Sequence, residues 1–140
     1  MSFEHEHRVI EERISANWSS PPDVYYEEQP RPDGLAEFLS VSVMPGRGRH
    51  LFPSEPEYRH VGLVTADIFV ARNSGTRRAR ALGDSFAALW RTSGKPLALT
   101  DAQAGVIRFV RPPYIGEIKP VQEWLHLEVI APYQRDVTLS

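Results

Sequence analysis

Residues 61–71 constrain the fold more than any other part of this chain. Val61, Leu63 and Val64 lead into Ile68, Phe69 and Val70, a run whose β-branched and aromatic content reads as a strand. Asn73-Ser74-Gly75-Thr76 follows, a loop with capping side chains. Beyond it Ala79, Leu82, Phe86, Leu89 and Trp90 recur at three and four residues, which is one apolar face of a helix, and Gly94-Lys95-Pro96 ends it. The chain must therefore supply a sheet for that face to cover.

The rest of the sequence supplies one. Phe3, Ile10, Ile14 and Trp18 lie on one helical stripe. Ser2 is placed to cap that helix, Glu4 and Glu6 stand at the positive end of its dipole, and Ser19-Ser20-Pro21-Pro22 stops it. Val24-Tyr25-Tyr26 is a brief strand, Gln29-Pro30-Arg31-Pro32-Asp33-Gly34 a turn-rich connector, and residues 35–44 alternate as a half-buried strand does. Pro45-Gly46-Arg47-Gly48-Arg49-His50 reads as a basic, glycine-rich loop, with a second break over 53–56. Residues 104–110 and 123–130 are two last strands, joined through the rigid connection Pro112-Pro113-Tyr114-Ile115-Gly116. The order is α-β-β-β-α-β-β. It predicts an α+β fold in one domain over 1–140: a mixed, mainly antiparallel sheet of four to five strands with two helices on one face.

Composition narrows the chemistry. There is no cysteine among the 140 residues, which removes disulfides, thiolate metal sites and a cysteine nucleophile. Sixteen Lys and Arg against 18 Asp and Glu leave a charge of -2, unlike a chain wrapped in nucleic acid. The N-terminus is charged where a signal peptide needs an apolar core, and no apolar run approaches the ~20 residues of a membrane-spanning helix. Gly-x-Ser-x-Gly, a Walker-type loop and a dinucleotide fingerprint are all absent. His5-Glu6-His7 has the residue types of a metal site, but residues two apart on a helix do not share a face, so it reads as an exposed polar turn. His60 and His126 fall in or beside strands and read as hydrogen-bonded structural residues. No catalytic set, metal or cofactor is expected.

Two basic clusters stand out. Arg47, Arg49 and His50 ride on the glycine-rich loop, able to approach another surface. Arg77, Arg78 and Arg80 sit in the first turns of the second helix, where cations oppose the dipole. An acidic neighbouring subunit or a passing nucleic-acid backbone would offset that cost; so would a solvated face paired with Asp84. Prolines at 30, 32, 45, 53, 56, 112, 113 and 120 stiffen loops, which suits docking onto partners better than enclosing a small substrate.

The segment Gly62-Leu63-Val64-Thr65-Ala66-Asp67-Ile68-Phe69-Val70, its Gly75 loop, and Ala79-x-Ala81-Leu82-x-Asp84-x-x-x-Ala88-Leu89-Trp90 together resemble the centre of the phage tail terminator-like proteins. These include small tail-completion proteins of long-tailed phages. Phe38-Leu39-Ser40-Val41-Ser42-Val43-Met44-Pro45-Gly46 is similar to the family's strand ending in a Pro-Gly turn, as is the last strand from Trp124 to Pro132-Tyr133. The likeness runs over nearly the whole chain. One departure is the arginines at 77, 78 and 80, where the family often has acidic or neutral residues.

The resemblance implies a non-enzymatic α+β subunit that forms a ring, commonly a hexamer, at the head-proximal end of the virion's tail. Its partners would be other copies of itself, the tail tube protein and the head-tail connector, with no membrane. Leu51, Phe52, Tyr114 and Ile115 are then candidate subunit contacts, and Arg47, Arg49 and His50 candidates to line a channel through which DNA passes. Three alternatives remain: a head-completion or connector adaptor, a small nucleic-acid-binding module using the arginines, and a small enzyme acting through His60 or His126.

Overall fold

The computed structural model describes residues 3–18, 22–26, 34–50, 57–92 and 95–138, with backbone alone for 46–50, 57–58 and 137–138. Its elements in chain order are α1 (Phe3–Asn17), β1 (Val24–Tyr26), β2 (Glu37–His50), β3 (Glu57–Ala71), α2 (Thr76–Ala88), β4 (Arg91–Thr92), β5 (Lys95–Asp101), β6 (Gly105–Phe109), β7 (Tyr114–Ile115), β8 (Lys119–Val121) and β9 (Trp124–Thr138). The strands form one nine-stranded sheet in the order β1-β2-β3-β9-β6-β5-β4, with β7 and β8 also paired to β9. Only β1–β2 is parallel; the other pairings are antiparallel.

This corrects the expected sheet of four to five strands. β9 explains much of the difference. One edge pairs with β3 along its whole length, while the other is lined in succession by β8, β7 and β6. Of the strands absent from the sequence reading, β4, β7 and β8 have two or three residues each, too short for any periodicity to show. The fourth, β5, alternates only through Leu97 and Leu99 and begins at Lys95-Pro96, which reads locally as a helix stop. Prolines are corrected with it. Pro45 pairs with Gly62 and Pro120 with Leu125, so these two lie inside strands and not in loops, and Pro96, expected to end the second helix, pairs with Arg91.

Residues 45–50 are likewise strand, not a loop. Their register slips by one residue between Pro45 and Gly48, a β-bulge that bends β2 and keeps it paired with β3 as far as His50↔Tyr58. At about 3.3 Å per residue the 15-residue β3 runs about 50 Å, and β2 and β9 flank it.

Alternation along these three long strands sends one set of side chains to a single covered face. Leu39↔Ile68↔Leu127, Val41↔Ala66↔Val129 and Val43↔Val64↔Ala131 are buried rows across it. Both helices pack there: Val9, Ile10 and Ile14 from α1 and Ala79, Leu82, Phe86 and Ala87 from α2 belong to the same core. Each large apolar side chain so buried contributes roughly 1.5–3 kcal/mol. A Cβ at Gly83 would come within 2.7 Å of Leu127 Cδ2, so the missing side chain sets how closely α2 lies on β9. Arg13 Nε donates to Leu89 O at 2.8 Å, joining α1 to the end of α2. Arg8 reaches Asp101 at 2.8 Å; that guanidinium, with the N–H groups of Ala104 and Gln103, holds the Asp101 carboxyl down at about 2. Trp18 Nε1 donates to Pro22 O at 2.9 Å.

Helix α2 starts differently from expectation. Residues 72–74 make a 3-10 turn and Gly75, at φ 81°, takes the N-cap with no side-chain cap. Phe3 also departs from its expected place in the core: it is 40% exposed and meets the buried His60 ring edge-on at 5.4 Å.

Candidate functional site

Among the described residues the opposite face of the sheet carries no helix. Its rows, set by the same registers, are Phe38↔Phe69↔His126, Ser40↔Asp67↔Glu128, Ser42↔Thr65↔Ile130 and Met44↔Leu63↔Pro132. Six large hydrophobic side chains are exposed among the described residues: Phe3, Met44, Val61, Val110, Tyr114 and Val121. Five of the six belong to this face. Val61 is two residues from Leu63 on β3, Tyr114 pairs with Ile130 and Val121 with Trp124, while Val110 follows β6 and lines a depression with Met44 and Val61. Single exposed apolar residues need no explanation, whereas large contiguous apolar patches are a common mark of interaction surfaces.

The face has two ends. At one, Phe38 stacks on Phe69 at 4.7 Å and meets Trp124 edge-on at 5.3 Å, and Phe69 leans on His126 at 4.9 Å. His126 Nε2 lies 2.8 Å from Asp67 Oδ1, so the imidazole is tethered to the sheet. At the other end is the depression, about 600 Å³, lined by Met44, Val61, Leu63, Val110 and Pro132 with Arg59 and Arg111 at its rim. It opens where the sheet is discontinuous: Pro132 falls on β9 between the residues that pair with β7 and those that pair with β6. A residue without an N–H is tolerated at such a gap.

Charge around the depression is predominantly positive. Asp136 accepts from Arg59 Nε at 2.8 Å and Nη2 at 3.3 Å, and Arg108 stands 3.6 Å from the same carboxylate. Arg111 is exposed and makes no ion pair among the described residues.

The expected site residues are dispersed. Tyr114 is 62% exposed on the helix-free face, whereas its neighbour Ile115 packs against the core on the other side. Arg78 is held by Glu37 of β2, its Nε donating to Oε2 at 2.9 Å, a partner outside its own helix; the pairing with Asp84 considered above, which the four-residue spacing would give to Arg80, is not among the ion pairs of the described residues. Arg77 and Arg80 are exposed on α2, away from the depression. Arg47, Arg49 and His50 lie in β2 by their backbone, their side chains outside the described residues; Leu51 and Phe52 lie outside them altogether. Sequence reasoning missed Met44, Val61, Val110 and Val121. For Met44 and Val61 the signal was alternation on both faces of the long strands, visible only once a register assigns the faces; Val110 follows β6 and Val121 ends the three-residue β8, where no periodicity could show it.

A second polar cluster lies beneath the helices. Glu6, expected on an exposed turn, is 1% exposed because it shares the stripe of Ile10 and Ile14, four and eight residues on. Burial raises its pKa, partly countered by the Tyr133 hydroxyl and the positive Arg135. Glu6 and Tyr133 are close enough to interact but fall short of full hydrogen-bond geometry. Burial, then Arg135, pushes the His60 pKa down. Neither His60 nor His126 lines the depression, and no group of three or more His, Asp or Glu among the described residues is placed to hold a metal ion.

No family model matches this chain, and no curated protein does. One solved structure, of a protein with a serial designation and no functional name, superposes on 100% of this chain and 99% of its own at 18% identity, with a TM-score of 0.76. At that identity the likeness is one of fold: the chain shares its architecture from end to end with a protein of known structure.

Proposed function

We propose that this chain is a structural subunit that assembles with copies of itself into a ring, in the role of a phage tail terminator. In that role the ring caps the completed tail tube, stops its polymerisation and offers a surface to the head's connector. The observation that carries the reading is the concentration of exposed hydrophobics on the helix-free sheet face. Such a face, built on strands about 50 Å long, suits repeated contacts between identical subunits. The sequence resemblance supplies the biological setting. Arg47, Arg49 and His50, near the far end of β2, would then line the channel and meet passing DNA through its phosphates.

Mass by light scattering over a range of concentration and salt, with negative-stain images of the same samples, tests the proposal. Annular particles of about six subunits are the expected result. A chain that stays monomeric under every condition contradicts it.

A further inference from the structure

The depression on the helix-free face and the segment that joins β2 to β3 are complementary in chemistry. The depression is apolar at its floor and short of negative charge at its rim, since Asp136 already serves Arg59 and Arg108 while Arg111 has no carboxylate among the described residues. Residues 51–56 read Leu-Phe-Pro-Ser-Glu-Pro: two large apolar side chains, then a carboxylate, with two prolines that limit the entropy lost on docking.

We propose that the depression receives residues 51–56 of a second copy of this chain, with Leu51 and Phe52 against Met44, Val61, Leu63 and Val110, and Glu55 facing Arg111. Chain length keeps the same copy from the far side of the depression at Leu63, though not from Arg59 and Val61, which lie nearer Glu57. The joining segment is anchored at His50 and Glu57, and its apex reaches back at most about 10 Å. Leu63 is six residues along β3 from Glu57, about 20 Å away. A tip seated in a neighbour's depression is a head-to-tail contact between two different patches, the kind that closes into rings. The inference rests on the ring reading for its biological setting, but the contact stands or falls on its own test.

Two charge reversals and one peptide make that test. Glu55→Arg and Arg111→Glu should each weaken self-association by about tenfold or more, and the double variant should recover most of the loss, because only a direct pair is restored by exchange. Rings that form equally well in both single variants overturn the tip-in-depression contact and leave the ring reading standing. A wild-type chain that never associates overturns the ring reading; the contact is then decided by titrating the monomer with a synthetic peptide of residues 51–57. Shifts of the Val61, Leu63 and Val110 methyl resonances support it. Their absence, or equal shifts with a peptide carrying Phe52→Asp, overturns it.

Discussion

Glu6 shows how one side chain can oppose the element it belongs to. It lies on the apolar stripe of α1 and is carried under the helix toward Tyr133 and Arg135. Its folded pKa is raised, so the stability tied to its neutral form is complete below the ordinary carboxylate pKa and declines as pH rises through the raised value. Glu6→Gln should therefore match wild type at about pH 4 and exceed it at about pH 8, in urea melts at each pH. Equal offsets at both would mean the carboxylate is not charged at the cost inferred. His60 works the other way. With its folded pKa lowered, its contribution is present above the ordinary histidine value and falls away on acidification. The spacing of Glu6 with Ile10 and Ile14 was legible in the sequence, but the polar neighbours His5 and His7 suggested solvent. Gly62 is a second residue-scale constraint. A Cβ there would come within 2.5 Å of the Tyr133 ring and 2.9 Å of the Met44 carbonyl. Gly62→Ala should cost about 1–3 kcal/mol by overpacking, read as a lower urea midpoint.

Among the elements, the two helices and the long strands were legible because each repeats its pattern for several turns or residues. The short strands were not, because their existence depends on a partner. β7 and β8 are ordered by the free edge of β9, more than a local pattern can convey, and Pro120 passes as strand only because it sits beside that edge. The bulge in β2 is similar: Pro45-Gly46 announces a turn locally, yet pairing with β3 continues past it. The arginines of α2 separate at this scale as well. Arg78 ties α2 to β2 through Glu37 and is partly exposed, so Arg78→Ala should cost at most about 1 kcal/mol, less at high salt. Arg77→Ala and Arg80→Ala should stay within about 0.5 kcal/mol of wild type. A large loss at either would assign it a structural partner beyond the described contacts.

At the scale of the molecule, the asymmetry between the two sheet faces is the central fact. One is sealed by both helices; the other leaves Met44, Val61, Tyr114 and Val121 in the open. The sequence announced a sheet with helices on one face but not what the remaining face would hold, because that needs the register of β2, β3 and β9 together. In the proposed ring this face is covered by another copy of the chain. Since the chain has no cysteine, a single thiol at Val61→Cys reports on it without background. Its maleimide labelling should slow by about tenfold or more between dilute and concentrated protein, while a thiol at the exposed Asp84→Cys on α2 labels at one rate throughout. Labelling of Val61→Cys at the same rate at every concentration would contradict the account.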